Sequence, residues 1–172
     1  MGRPEGPGCY CFANNVLRDV IQRLAGGYRH VVVDSEAGLE HISRRTLLSL
    51  DHLTLVSDCT VRGVRTARRL AELAAEMGTA VKNCGVVVNR VPGGLLPAAV
   101  AAEVDASGLP LLAVIPTDDN VAAQDASGVP VLELPADSPA RLAVNSLTDN
   151  FLGRADPASV REVISEGARW QS

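Results

Sequence analysis

Gly85-Val86-Val87-Val88-Asn89-Arg90 is a short apolar run that ends in two polar residues. The same pattern occurs three more times, in Val31-Val32-Val33-Asp34, in Leu55-Val56-Ser57-Asp58 and in Ala113-Val114-Ile115-Pro116-Thr117-Asp118. Continuous apolar runs of this length are typical of strands buried inside a parallel sheet. The carboxyl ends of parallel strands share one edge, and open α/β sheets bind ligands there. The pattern therefore predicts an α/β fold with a ligand site at that edge.

Helical patterns separate the apolar runs, which predicts a mostly parallel sheet with helices on both faces. The predicted strands cover residues 30–34, 53–57, 85–88, 111–115 and 131–134. The predicted helices cover residues 13–24, 38–50, 61–77, 96–106, 120–126, 138–151 and 158–170. A turn at 154–157 precedes the last helix. We therefore expect one domain over residues 1–153 and a C-terminal helix over residues 154–172, packed on the domain or extended as an arm.

The composition fits one globular domain. The chain has 172 residues, of which 47% are hydrophobic and 3% aromatic, so its core must be built from Val, Leu, Ile and Ala. The formal net charge of -4 argues against nucleic acid as a partner, because phosphate backbones attract clustered cations. No apolar run is long enough to cross a bilayer and no secretory signal is visible, which predicts a cytoplasmic protein without a membrane partner.

Two cysteines stand two residues apart in Gly8-Cys9-Tyr10-Cys11. In an extended segment, residues with this spacing point the same way, and the helix predicted to follow would favour the thiolate form. A tetrahedral metal site needs four ligands, and a second copy of the chain would supply the other two sulfurs. The spacing is equally compatible with two cysteines that only pack. Cys59 and Cys84 are predicted to be packing residues.

Asp34-Ser35-Glu36-Ala37-Gly38-Leu39-Glu40-His41 follows the first apolar run. A carboxylate at Asp34 could hold a water molecule on Mg²⁺ beside a nucleotide, and Gly38 would let the backbone approach a phosphate. The alternative is that Asp34 only caps the next helix. His41 could be a metal ligand, a base or a surface residue.

An amide side chain follows the strand predicted over residues 85–88, and a polar loop follows the strand predicted over residues 111–115. The side chain of Asn89 offers one donor and one acceptor, which suits the edge of adenine. The loop Pro116-Thr117-Asp118 would place its backbone against the same base. Each of these signals is weak when taken alone.

Together, these segments resemble the CooC-type accessory proteins for carbon monoxide dehydrogenase, members of the MinD/ParA class of P-loop ATPases. The resemblance covers residues from about 6 to about 152. It implies ATP with Mg²⁺ as cofactor, a homodimer, and nickel insertion into carbon monoxide dehydrogenase as the function. It implies Ni²⁺ or Zn²⁺ bound by Cys9 and Cys11 at the dimer interface, and Asp34 as the switch carboxylate. The groups that it places beside the nucleotide are Gly38, Asn89, Arg90, Pro116, Thr117 and Asp118.

The phosphate-binding loop of that family is not found in the sequence, so the resemblance implies that residues 1–153 form an incomplete nucleotide-binding domain of the MinD/CooC type. Such a loop needs a glycine-rich turn and a lysine on the phosphates. The single lysine, Lys82, is not preceded by a glycine loop. We interpret this as a truncation, a split gene or a misplaced start, and we expect these residues alone not to hydrolyse ATP. Two other functions remain open: a metal-binding or dimerisation module independent of nucleotide, and another ATPase of the MinD/ParA class.

Overall fold

The computed structural model describes residues 16, 19–21, 23–35 and 49–153 of the chain. The predicted sites at Cys9, Cys11, Gly38 and His41, and the predicted helix over 158–170, lie outside these residues. The strands and helices of the part 49–153 are β1 (Ser49–Asp58), α1 (Val61–Glu76), β2 (Ala80–Val91), α2 (Ala98–Ser107), β3 (Leu111–Pro116), α3 (Asp119–Ser127) and α4 (Pro139–Phe151). Short 3-10 helices at Pro92–Gly94 and Val131–Glu133 follow β2 and α3.

The strands form one sheet in the order β1-β2-β3, which confirms the predicted α/β class. β2 and β3 run parallel, with Val86 opposite Leu111 and Val91 opposite Pro116. The helix α2 lies between them in sequence, as a parallel connection requires. Both β1 and β2 begin several residues earlier than predicted. The prediction missed their first halves because these are half-exposed and lack the continuous apolar character of a buried strand.

The described residues belong to two units of the chain. The first consists of Met1–Leu55 and Thr66–Cys84, and the second of Val56–Arg65 and Gly85–Ser172. In the first unit, Lys82 Nζ lies 2.7 Å from Asp51 Oδ1, and this exposed ion pair joins the starts of β1 and β2. Such a pair contributes little to stability because water screens it.

The core of the second unit is aliphatic, as the composition predicted. The middle of β2 is fully buried, and α2 buries one face against the interior. Burial of aliphatic side chains is the main stabilising term here, at about 1.5–3 kcal/mol for each complete side chain. The buried residues of this core are Val64, Val86, Val87, Val88, Val91, Val100, Val104, Leu134 and Ala140.

The predicted strand over residues 30–34 is wrong. None of these residues is in a strand, and the side chain of Val32 is 93% exposed. A strand exists only when its backbone groups pair with a neighbour, and the sheet of the described residues contains no partner for this segment. The apolar run Val31-Val32-Val33 therefore has strand-like composition without strand structure. In the described part of the chain, residues 30–34 do not pair with β1.

The predicted strand over residues 131–134 is also wrong, because Val131–Glu133 forms a 3-10 helix. Pro130 and Pro135 flank this run, and proline cannot donate a ladder hydrogen bond. The N–H of Glu133 donates instead to the carbonyl of Pro130, at 2.9 Å. The predicted helix over 38–50 lies mostly outside the described residues, but its last two residues belong to β1. No helix in the described part of the chain has the length and apolar character needed to span a membrane.

Candidate functional site

The carboxyl end of β2 contains a bulge. Between the pairs Val88–Val114 and Val91–Pro116, β2 has one residue more than β3. Asn89 and Arg90 occupy the bulge, and Arg90 has a φ of 56°, in the left-handed region that non-glycine residues avoid. Such a conformation costs about 1–2 kcal/mol. Bulges next to ligand sites re-aim side chains, and this one turns the end of β2 out of the regular ladder.

The side chain of Asn89 has a fixed orientation. Its Oδ1 accepts a hydrogen bond from the backbone N–H of Arg90, at 2.8 Å. Only the amide oxygen can accept this bond, so the bond identifies which side of the amide is Oδ1 and which is Nδ2. Oδ1 retains a second lone pair, and Nδ2 makes no hydrogen bond to any described residue. The half-buried Asn89 therefore presents one donor and one acceptor at the strand end.

The carboxyl end of β3 is fastened to the same bulge. The N–H of Thr117 donates to the carbonyl of Val91, at 2.9 Å. Thr117 is exposed and Pro116 is half-buried. The structure therefore brings together Asn89, Arg90, Pro116 and Thr117 at adjacent ends of two parallel strands, as the sequence predicted for this edge.

Asp118 follows this loop and is the N-cap residue of α3. Its Oδ1 accepts hydrogen bonds from the backbone N–H and the side-chain Nδ2 of Asn120, at 2.9 and 3.0 Å. Its Oδ2 accepts from the hydroxyl of Ser138 at 2.5 Å and from the N–H of Ala140 at 3.2 Å. The bond from Ser138 is the main reason why the pKa of Asp118 lies below its ordinary value, and the bonds from Ala140 and Asn120 add to it. Asp118 is thus an ionised structural cap.

The carboxyl end of β1 is also occupied by capping interactions. Thr60 Oγ1 donates to Asp58 Oδ1 at 2.7 Å and accepts from the N–H of Gly63 at 3.0 Å, which caps the first turn of α1. A Cβ atom on Gly63 would lie 2.1 Å from Asp58 Oδ1, so a larger residue here would displace the Asp58 side chain from its bond with Thr60. These contacts explain the polar residues after β1 without requiring a ligand.

The predicted switch residue Asp34 is exposed and lies in the first unit, whereas Asn89 and Thr117 lie in the second. The described residues include no group of three or more His, Cys, Asp or Glu side chains placed to hold a metal ion. Cys59 and Cys84 are free, half-buried thiols. Burial raises the pKa of both, with the charge of Asp58 adding to the effect at Cys59, and a neutral thiol is a poor metal ligand. Their half-burial is what a packing role requires, and their exclusion from the metal site stays a prediction.

The family model described as the CobQ/CobB/MinD/ParA nucleotide binding domain matches residues 16–131 of the chain, which include both loops of the site. The chain belongs to the CobQ/CobB/MinD/ParA nucleotide-binding family. Family membership agrees with the sheet edge at which the site lies, because doubly wound folds bind nucleotides beyond the carboxyl ends of their strands.

Two known proteins illustrate relatives that are similar to most of this chain. An uncharacterised ATP-binding protein of Methanocaldococcus jannaschii is 38% identical over 156 residues, which are 90% of this chain and 60% of that protein. The carbon monoxide dehydrogenase accessory protein CooC of Rhodospirillum rubrum is 30% identical over 155 residues, 88% of this chain and 56% of CooC. The chain thus spans somewhat more than half the length of these relatives.

A solved structure of the CobQ/CobB/MinD/ParA family has the same fold. The septum site-determining protein MinD from Pyrococcus horikoshii, determined in complex with Mg-ADP, matches with a TM-score of 0.63 and 25% sequence identity. The match covers 80% of this chain and 56% of MinD. The P-loop NTPase-like, MinD-type fold expected from the sequence is therefore confirmed.

Sequence reasoning missed one polar residue of this site, Ser138. A serine before Pro139 is a recognisable helix N-cap, and Ser138 does accept a hydrogen bond from the N–H of Arg141, at 3.2 Å. Its second partner, Asp118, lies 20 residues earlier in the chain. No local pattern could have identified that pairing, because it arises only when α4 packs against β3.

Proposed function

We propose that the carboxyl ends of β2 and β3 bind the adenine base of ATP. We further propose that the chain acts in an ATP-dependent accessory protein that inserts nickel into carbon monoxide dehydrogenase. The observation that supports the first part is the fixed amide of Asn89 at the bulge of β2. The second part rests on the similarity to the CooC protein together with the Cys9 and Cys11 pair.

The amide of Asn89 is complementary to adenine and not to guanine. An asparagine amide pairs with adenine by accepting from the N6 amino group and donating to N7. Oδ1 has one lone pair left and Nδ2 is available, so both bonds can form without breaking the bond from Arg90. Guanine presents an oxygen acceptor in place of the N6 amino group, and that oxygen would face the lone pair of Oδ1. The site should therefore select adenine.

The neighbouring residues have supporting roles in this proposal. The N–H of Thr117 donates to the carbonyl of Val91, which holds the Pro116–Thr117 backbone next to the end of β2. We propose that this backbone lies against the base. Arg90 is exposed, and its charge could attract a phosphate or the ribose side of the nucleotide. The base recognition proposed here uses only the hydrogen bonds of the Asn89 amide. We also propose Asp34 as the residue that orients water on Mg²⁺ and Gly38 as the residue that approaches the phosphates.

The proposed nickel chemistry assigns Cys9 and Cys11 as soft-metal ligands shared between two copies of the chain, with carbon monoxide dehydrogenase as client. The alternatives differ in measurable ways. A metal-binding module independent of nucleotide would bind metal but no adenosine. Another ATPase of the MinD/ParA class would bind adenosine but would not need the cysteines. The chain is more similar in sequence to the uncharacterised ATP-binding protein than to CooC, and this observation favours an ATPase of the MinD/ParA class as the second candidate function.

Adenosine is the appropriate probe because it tests the base site without the phosphate loop. We expect adenosine to bind weakly to the wild-type chain, with saturation-transfer NMR signals at the base protons, and guanosine to bind less well. Asn89→Ala should weaken adenosine binding roughly tenfold, the effect of removing a paired amide. Asn145→Ala, at an exposed position on α4, is the matched control and should change nothing. Equal adenosine affinity for wild type and Asn89→Ala would refute the proposed base site.

A further inference from the structure

The carboxylate of Asp118 has no capacity left for a ligand. A carboxylate offers about four lone-pair sites. Four donors already occupy them: the backbone N–H and the Nδ2 of Asn120 on one oxygen, and the Ser138 hydroxyl and the Ala140 N–H on the other. Asp118 therefore acts on the loop that precedes it by holding the starts of α3 and α4 together.

Ser138 is the central donor of this arrangement. Its side chain is 1% exposed, so it has no direct access to a ligand. Its hydroxyl donates to Asp118 and accepts from the N–H of Arg141, and the Arg141 guanidinium donates to the carbonyl of Leu134. The start of α4 is thereby fixed by three successive hydrogen bonds, and the loop that ends at Asp118 is fixed with it.

The loop is held at both of its ends. At one end the N–H of Thr117 is bound to the carbonyl of Val91, directly after the bulge that carries Asn89. At the other end Asp118 is bound to Ser138. The Pro116–Thr117 backbone is therefore bonded to β2 directly and, through Asp118, to a buried hydroxyl on α4.

We infer that Ser138 is a positioning residue for base selection: through Asp118 it sets the width of the space between Asn89 and the Pro116–Thr117 loop. This inference rests on the proposed base site. Loss of the hydroxyl releases one side of the loop, so that the adenine-shaped space widens and its preference for adenine over guanine falls.

The test measures adenosine and guanosine dissociation constants by NMR titration of the full chain. Ser138→Ala should weaken adenosine binding about three- to tenfold, the range of one ordinary hydrogen bond, and lower the adenosine-to-guanosine affinity ratio towards one. Ser107→Ala is the matched control. Like Ser138, Ser107 donates one hydrogen bond and accepts one: its Oγ donates to the backbone carbonyl of Val104 at 2.6 Å and accepts from the N–H of Leu109 at 3.1 Å, but it lies at the end of α2. This control should lose similar stability and keep the wild-type affinity ratio.

Asp118→Asn provides a second, milder variant in case Ser138→Ala does not fold. Its amide can donate to the Ser138 hydroxyl, but it opposes the Ala140 N–H, so a smaller fall of the ratio is expected. The inference is overturned if folded Ser138→Ala or Asp118→Asn keeps the wild-type ratio while Asn89→Ala weakens adenosine binding. If the wild-type chain binds no adenosine, or if Asn89→Ala has no effect, the proposed base site fails and the inference fails with it.

Discussion

Asp118 is a single charged residue whose protonation should be visible in the stability of the whole second unit. Its pKa is lowered in the folded chain, above all by the Ser138 hydroxyl. A lowered carboxyl pKa stabilises the fold at pH values above the ordinary Asp pKa of about 3.9, and this contribution is lost as the pH falls through the folded pKa. The contribution is therefore fully present at neutral pH, and its pH dependence lies in the acid range.

We predict that the difference in unfolding free energy between wild type and Ser138→Ala is largest at pH 5–7 and shrinks below about pH 4. A residual difference of about 1 kcal/mol should remain in acid, because the variant also loses the N-cap of α4. Urea unfolding at several pH values measures this, and NMR titration of the Asp118 carboxyl should show its pKa rising in the variant. Ser107→Ala should give a difference that does not depend on pH. A Ser138→Ala difference that stayed constant down to pH 3 would contradict the prediction.

At the residue scale, the sequence was sufficient to place Asn89 and the Pro116-Thr117-Asp118 loop at one sheet edge. It could not predict the bulge, because the extra residue in β2 is defined only by its register against β3. It also could not separate the role of Asp118 from that of Thr117. Asp118 differs from Thr117 because the first turn of α4 packs next to it and donates hydrogen bonds to its carboxylate. That position of α4 is a result of tertiary packing.

Gly85, where β2 passes β3, is an element-scale feature. A Cβ atom there would lie 2.6 Å from Leu112 Cγ and 2.8 Å from the carbonyl oxygen of Pro110. That carbonyl cannot retreat easily, because it accepts the N–H of Val86 at 2.8 Å. Leu112 is the extra residue where β3 in turn departs from regular register, between the partners of Val86 and Val87. The close approach of the two strands therefore requires a residue without a side chain.

We predict that Gly85→Ala destabilises the chain by about 1–3 kcal/mol, the usual cost of overpacking a buried position. The smaller backbone entropy of unfolded alanine would otherwise stabilise by about 0.4–1 kcal/mol, so the sign of the result is informative. Urea unfolding at pH 7 is the measurement. In a Leu112→Ala background, Gly85→Ala should cost less than it does in the wild type, because the clash with the Leu112 side chain is gone. Some cost should remain, because the clash with the Pro110 carbonyl is still there. A Gly85→Ala chain as stable as wild type would show that the strands can separate at this point.

At the element scale, periodicity located the four helices between residues 61 and 151 to within one or two residues, but it extended the helix predicted over 38–50 into β1 and failed for two apolar runs. The run over 31–33 has the composition of a buried strand, yet its backbone has no strand partner among the described residues. The run over 131–134 lies between prolines that prevent regular pairing. In both cases composition reports how apolar a segment is. Strand formation also requires a neighbour with free backbone groups, and no single segment of sequence contains that information.

The proposed metal site is a whole-molecule prediction, because it needs two chains. We expect one Ni²⁺ or Zn²⁺ ion for every two chains, bound by Cys9 and Cys11 of each copy. Elemental analysis after anaerobic loading should show this ratio in wild type and its loss in the Cys9→Ser, Cys11→Ser double variant. The Cys59→Ser, Cys84→Ser double variant is the matched control and should keep its metal. Equal metal content in wild type and the Cys9, Cys11 variant would remove the support for a nickel function.

The hydrogen bond between the side chains of Asp118 and Ser138 also joins the two ends of the segment 118–138 into a closed ring. The two residues are 20 positions apart, and α3 and the following 3-10 helix lie between them. The first turn of α3 therefore cannot open without releasing the first turn of α4. Their backbone amides should then exchange hydrogen with solvent in a shared opening event rather than independently. A nucleotide that holds only the Thr117 side of the ring would slow exchange in α4 as well, a helix that it does not touch.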